Sequence, residues 1–391
     1  LEKALRQTTM AARCSSEAYA SMLTFHATSV TSWRTKIAQQ GANFDTQIRL
    51  LRTLLRSLRR MEPPGCRRDF VLMLGQDTKL DARSSSALER DGFRIVLIPP
   101  IQQGIPTTDK LHAWRLTAYE RVVFLDADVM AIGPLEEAFE RPEEFVIAAH
   151  PYDTVQGAAC GHALPRRGVT GMFSLRPSMT TYARLLDNLR TSPTLWDVTL
   201  TRHTPEQTGL SCFFRNVSHT WPCSYLFDIG NDGHVRGAKH YRGCKRFQEP
   251  LLSKRGVCDR IANHIERSCT WAHAHSAARA IHFKGGMKPW KPSSLSPASC
   301  GLPISLGRLR VTLHGAAGKR RNSTSLDARD DLRWDRALGA CVSVDLGAPV
   351  MWADRAAVPQ PCCSFETLLK AEWHELLRSV QQQDVASAAL G

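Results

Sequence analysis

The strongest constraint on the fold is an alternation that begins near the amino end: short apolar runs of strand length, each separated from the next by a segment with helical spacing. Residues 18–24 (AYASMLT) read as a first strand. Ile48, Leu51, Leu55 and Leu58 then recur at helical spacing, with Arg49, Arg52, Arg56 and Arg59 opposite them. That pattern predicts an amphipathic helix beside a sheet, its cationic face solvated. Pro63, Pro64 and Gly65 stop it. Residues 69–74 and 93–98 supply two further strands, residues 80–90 the helix between them, and residues 111–119 a helix leading into the next apolar run. Such an order argues for an α/β fold, a mostly parallel sheet with helices on both faces. Ligands of such sheets bind beyond the carboxyl ends of the strands.

The next run, Arg121-Val122-Val123-Phe124-Leu125-Asp126-Ala127-Asp128-Val129, closes on two acids one residue apart. Residues alternate along a strand, which places Asp126 and Asp128 on one face. Paired carboxylates at a strand end suit a hard divalent cation, which in turn suits a diphosphate. A loop-capping acid pair is the plainer alternative, and the motif alone does not choose between them.

Strand and helix continue beyond. Residues 135–139 fit a short helix, 145–149 a strand, 169–175 a strand, 180–190 a helix and 206–214 a further helix starting near Pro205, with a glycine-rich loop after 149. From about 231 to 280 the chain is rich in Gly, His, Arg and Cys without periodicity, an insertion open to stapling by disulfides. Residues 280–283 restore a strand, ended by the turn Lys284–Trp290. Residues 292–322 read as a linker. Phe365, Leu368, Leu369, Trp373, Leu376, Leu377 and Val380 form a terminal amphipathic helix expected to pack on the sheet. These boundaries divide the chain into a domain at 15–300, carrying the insertion, and an extension at 301–391.

Composition narrows the partners. A net charge of +14 over 391 residues favours anionic ligands. The basic residues are not interleaved with stacking aromatics, so nucleic acid is not an expected partner. No apolar run reaches the ~18 residues of a membrane-spanning helix, so a membrane anchor is expected only outside this sequence, which starts at Leu1. Twelve cysteines, together with the sequons Asn216-Val217-Ser218 and Asn322-Ser323-Thr324, fit the Golgi or another secretory lumen, with the cytoplasm as the alternative. Without a Cys-x-x-Cys, a zinc ribbon is not expected from Cys244, Cys258, Cys269 and their neighbouring histidines.

Three distant segments become informative together. Lys110-Leu111-His112-Ala113-Trp114-Arg115 precedes the paired acids, Pro205-Glu206-Gln207 opens the helix ending in Phe213-Phe214, and His282-Phe283-x-Gly285-x-x-Lys288-Pro289-Trp290 follows the insertion. With LHAWRLTAYERVVFLDADVMAIGPLEEAF at 111–139 and Gly171–Ser178, this order resembles the family-8 glycosyltransferases, the group of glycogenin and galactinol synthase, over roughly 15–300.

The resemblance implies a GT-A fold with a Rossmann-like, mostly parallel sheet, a UDP-sugar donor, and manganese or another divalent cation. It implies hexosyl transfer to a carbohydrate, lipid or protein hydroxyl with retention of configuration. Asp126, Asp128 and His282 match metal ligands, Lys110 and Lys288 donor-contacting lysines, Gly285 the turn glycine at the diphosphate, and Glu206 and Gln207 the carboxylate and amide near the transferred sugar. Asp126 also belongs to the donor site. Glu206 is open to three roles: nucleophile, stabiliser of an oxocarbenium-like centre, or helix cap.

Val169-Thr170 replaces a common Asn-Ser or Asn-Ala, Leu23-Thr24-Phe25 departs at the end of the first strand, and Thr208-Gly209 stands where Asp-Phe or Gly-Leu is common. Two alternatives therefore accompany the transferase reading: a glycogenin-like self-glucosylating protein, and a non-catalytic nucleotide- or sugar-binding module.

Overall fold

In the computed structural model the described residues are 12–24, 44–149, 168–197, 205–215, 218–221, 225–229, 279–283, 311–313, 332–335, 340–343, 349–352 and 365–389. Two compact units divide the chain, Leu1–Trp221 with Gln383–Gly391, and Pro222–Gln382. No helix among the described residues is long and apolar enough to cross a membrane.

The first unit is built on a seven-stranded sheet. Its elements are β1 (Glu17–Leu23), α1 (Phe44–Met61), β2 (Asp69–Gly75), α2 (Ala82–Asp91), β3 (Phe93–Ile98), a 3-10 helix at Pro106–Arg115 and β4 (Arg121–Leu125). There follow β5 (Val129–Ala131), α3 (Glu136–Glu140), β6 (Phe145–Ala149), β7 (Gly168–Leu175), α4 (Met179–Thr191), a 3-10 turn at Pro193–Trp196, α5 (Pro205–Phe213) and β8 (Ser218–Trp221). The strand order is β3-β2-β1-β4-β7-β6-β8. β3, β2, β1 and β4 pair in parallel, β6 pairs parallel with β8, and β7 alone in this sheet runs against its neighbours β4 and β6. The expected mostly parallel, helix-flanked sheet is therefore present, with one reversed strand at its centre.

That reversal positions the site. Leu125, the last residue of β4, faces Met172 near the start of β7. The amino end of β7 therefore lies beside the carboxyl end of β4, and Thr170 and Gly171 flank the segment after Leu125. A parallel neighbour would have offered its own carboxyl end.

Helix α1 forms where its aliphatic stripe predicts: Ile48, Leu51, Leu55 and Leu58 are buried, Asp45 lies in the first turn, and Arg59 and Arg60 lie in the last, each charge favourable to the helix dipole. One part of the expected cationic face differs. Arg52 is only 3% exposed, and its guanidinium bonds Asp91 at 2.6 Å and Asp384 at 2.8 Å. Burial opposes its charge, but these two carboxylates raise its pKa. A helix laid between the sheet and a second layer buries part of its polar side, and the carboxylates make that tolerable. The partner Asp384 belongs to the terminal helix, α6 (Phe365–Ala389), so its last turns are tied to α1.

Helix α2 is capped at both ends, with Asp81 accepting from the Ser84 amide at 2.7 Å and Gly92 closing the far end at φ +90°. The segment expected as a helix over 111–119 is instead a 3-10 helix at Pro106–Arg115. Its residues from Thr108 to Trp114 are all buried, so no amphipathic stripe exists to favour 3.6-residue turns. At the 3-10 period Arg115 falls over His112, and their side chains meet at 3.2 Å.

The core beneath the site is aromatic. Trp114 stacks on Phe173 and Phe214 at centroid separations of 5.9 and 5.6 Å, and Phe124 on Phe173 at 4.8 Å. Rings of this size contribute most of the packing energy, on the order of 3–5 kcal/mol for each one truncated to alanine. At the other end of the sheet a disulfide joins Cys14, just before β1, to Cys66, just before β2.

In the second unit β9 (Leu226–Ile229) and β10 (Ala280–Phe283) pair in parallel. β11 (Val311–Leu313), β12 (Leu332–Asp335), β13 (Ala340–Ser343) and β14 (Pro349–Trp352) make an antiparallel sheet ordered β11-β14-β13-β12. Residues 292–322, read from sequence as a linker, thus include a strand. The expected insertion at 231–280, the glycine-rich loop after 149 and the turn at 284–290 lie outside the described residues, apart from Arg279 and Ala280.

Candidate active site

Asp126 and Asp128 do not extend β4. The strand ends at Leu125, and Asp126-Ala127-Asp128 forms a turn before β5, closed by the Val129 amide donating to the Asp126 carbonyl at 3.0 Å. Strand alternation therefore does not set their directions, as the sequence reading assumed. The Asp126 amide donates to the Gly171 carbonyl at 2.9 Å, which fixes the turn against β7. A short apolar strand stops here because its last ladder bond is followed by two acids that need solvent or a counter-ion.

The counter-ion is Lys110. Its ammonium lies 2.7 Å from one oxygen of Asp126 and 3.0 Å from the other, and it donates to the Thr170 carbonyl at 3.1 Å. Lys110 is only 5% exposed, whereas the Asp126 side chain is 26% exposed. Burial alone would lower the ammonium's pKa; Asp126, Glu206 and Asp128 together raise it. One buried cation thus serves three carboxylates.

Glu206 enters from α5, 3% exposed. Its Oε1 accepts from the Thr170 hydroxyl at 2.9 Å, while Oε2 is buried with no hydrogen-bond partner among the described residues. Glu206 is the acidic residue of the first turn of its helix. Thr208, two residues on, likewise carries a buried hydroxyl with no such partner. Gln207 is buried on the same helix.

The unusual Thr208-Gly209 pair has a packing reason. A Cβ at Gly209 would stand 2.4 Å from the Trp196 ring, so the absence of a side chain lets α5 approach the indole. Trp196 is itself fully buried and donates its Nε1–H to Asn188 at 3.0 Å. A tryptophan from the preceding turn takes the space a larger residue at 209 would fill.

Of the residues singled out from sequence, Lys110, Asp126, Asp128 and Glu206 interact within the first unit. His282 is buried on β10 in the second unit, where its backbone registers with Asp228. Gly285 and Lys288 lie outside the described residues. Thr170 entered the sequence reading only as a departure from a family pattern, yet it touches both Lys110 and Glu206. The available signal was a hydroxyl-bearing residue directly before a glycine in a buried strand.

Comparisons with known proteins agree with this picture at a coarse level. No family model matches the chain. Glycogenin-2 of Homo sapiens is 28% identical over 211 residues, covering 54% of this chain and 32% of that protein. Galactinol synthase 1 of Solanum lycopersicum is 26% identical over 161 residues, 35% of this chain and 48% of that one. The crystal structure of the glycosyltransferase GlyE of Streptococcus pneumoniae TIGR4 superposes with a TM-score of 0.43 at 16% identity, covering 72% of this chain and 58% of that one. The chain thus spans less than half the length of these two sequence relatives. This chain is therefore similar in sequence to glycogenin and galactinol synthase, and the order of the motifs that carry Lys110, Asp126, Glu206 and His282 resembles that of the family-8 glycosyltransferases.

Proposed function

We propose that this chain is a metal-dependent, retaining glycosyltransferase that moves a hexose or related sugar from a UDP-sugar to a hydroxyl acceptor on a carbohydrate, lipid or protein. The observation that carries the reading is the cluster around Lys110. Asp126, Glu206 and Asp128 all act on one buried ammonium, and Glu206 Oε2 is buried with no hydrogen-bond partner among the described residues, an arrangement that a divalent cation with its bound diphosphate and sugar would complete.

Two carboxylates and an imidazole are a donor set that fits manganese, and Asp126, Asp128 and His282 are the residues that would hold it. When bound, the ion would neutralise the diphosphate and favour its departure. Lys110 and Lys288 would add positive charge at the phosphates, and Gly285 would let the backbone approach them. Glu206, with Oε2 uncommitted among the described residues, and Gln207 would face the sugar. The carboxylate there would stabilise positive charge at the reacting carbon, or attack it as the bond to the departing diphosphate breaks.

The Cys14–Cys66 disulfide favours an oxidising compartment, so the proposed location is the Golgi or another secretory lumen.

The test is release of UDP from a panel of UDP-sugars with manganese or with EDTA. The expected result is metal-dependent turnover that disappears in Asp128→Ala. Tight UDP binding without turnover on any donor would make the chain a binding module. Sugar mass added to the chain itself would make it self-glucosylating.

A further inference from the structure

We propose that Thr170 is the positioning residue of this site: its hydroxyl holds one oxygen of Glu206 so that the other, Oε2, meets the donor sugar, while its carbonyl holds Lys110. The proposal rests on the glycosyltransferase reading above.

Thr170 is 1% exposed and lies on β7, the reversed strand beside the end of β4. A hydroxyl has one proton to give, and here it goes to Glu206 Oε1 at 2.9 Å. The Thr170 carbonyl accepts from the Lys110 ammonium at 3.1 Å, and the next carbonyl, that of Gly171, accepts from the Asp126 amide at 2.9 Å. Two consecutive residues therefore fix a sugar-side carboxylate, a phosphate-side ammonium and the turn that bears the acid pair. The β-branched side chain adds stiffness, because threonine in a strand has few χ1 choices and its hydroxyl stays where the backbone puts it. A buried carboxylate held at one oxygen by a donor is fixed in orientation, and its second oxygen keeps its full capacity for a ligand. Glu206 Oε2 is in that condition, buried and without a hydrogen-bond partner among the described residues.

Where a common family pattern has Asn-Ser or Asn-Ala, this chain has Val169-Thr170. The amide at 169 is absent, while the hydroxyl at 170, of the kind the Asn-Ser form also carries, acts through Glu206.

Thr170→Val removes the hydroxyl at similar volume, and Thr170→Ser retains it. With manganese and a UDP-sugar that the unaltered chain turns over, Thr170→Val should lower kcat by about 10–100-fold, the range of a hydrogen bond to a charged group. The donor KM should stay within about twofold, because the phosphate contacts remain. Thr170→Ser should restore kcat. An active unaltered chain whose Thr170→Val variant keeps its kcat would overturn the positioning role and leave the transferase reading intact. If the unaltered chain turns over no UDP-sugar, that reading fails, and the pairing is then read from urea unfolding of Thr170→Val, Glu206→Met and the double variant. Coupling of about tenfold or more in the unfolding constant supports Thr170 as the residue that sets Glu206, and coupling below about twofold overturns it.

Discussion

Two buried charge clusters sit in the first unit, and they are built on opposite principles. Around Arg68, itself 1% exposed, the guanidinium bonds Glu17 at 2.8 Å, meets Glu136 at 3.4 Å and lies 4.0 Å from the centre of the Phe139 ring. Arg13 covers the other oxygen of Glu17 at 2.9 Å. That cluster is closed: each of its carboxylates, Glu17, Glu136 and Glu140, meets a guanidinium of Arg68 or Arg13, and Arg68 also meets the face of an aromatic ring. Around Lys110 three carboxylates act on one ammonium, and one oxygen of Glu206 has no hydrogen-bond partner among the described residues. A protein stabilised by burial has every reason to close such a cluster, since unpaired buried polar groups cost about 1–3 kcal/mol each. An open one is retained where a ligand completes it. The contrast separates a fastener from a site without reference to any relative.

The comparison can be broken by removing one cation from each side. Arg68→Ala should cost about 3–5 kcal/mol in urea unfolding, because two carboxylates lose a buried partner, while turnover per folded molecule is unchanged. Next in size, replacing Cys14 and Cys66 by alanine beside the closed cluster should cost about 4 kcal/mol, from the loop spanned by a sequence separation of 52. Lys110→Met should do the reverse of Arg68→Ala. Turnover should fall by about 10²–10³-fold, with a smaller loss of stability, because Asp126 retains access to water. Equal stability losses for Lys110→Met and Arg68→Ala, with turnover intact in both, would erase the distinction.

Smaller effects sharpen the comparison. Gly209→Ala forces a methyl into the Trp196 ring and should cost about 1–3 kcal/mol, measured by thermal unfolding, with kcat reduced because Glu206 shares the helix. The smallest concerns His112, a buried group outside both clusters. Its pKa is pushed down to about 4 by burial, with Arg115 adding to the shift and a bond to the Pro99 carbonyl opposing it. The folded-state pKa lies below the unfolded value of about 6.5. Its contribution to stability is therefore full above about pH 6.5 and is lost as pH falls through that window towards about 4. Urea midpoints measured across that range should fall less steeply in His112→Gln than in the unaltered chain.

Much of the fold was legible because its strands carry their own signal. β1, β2, β3, β4 and β6 are short apolar runs bounded by turn residues, and α1 and α4 have a clear stripe. The 3-10 helix at Pro106–Arg115 was not legible, since a segment buried on all sides has no periodicity to read. Nor was the reversal of β7, because strand direction depends on the route taken by the chain between strands and not on the composition of the strand. The four-stranded sheet of the second unit escaped for a related reason, its strands being three or four residues long. For the site, Lys110, Asp126, Asp128 and Glu206 were identified through a motif order. Their sharing of one ammonium was not, because it depends on β7 bringing Thr170 between Lys110 and Glu206. The Arg52 pair with Asp384 was hidden likewise by a sequence separation of 332.

The most direct test of an open, cation-seeking cluster is calorimetric titration of manganese into the unaltered chain and into Asp128→Ala. The account predicts uptake at one site by the unaltered chain, strengthened by UDP, and loss of that uptake in the variant. No uptake by the unaltered chain in the presence of UDP, or identical uptake by the variant, would contradict it.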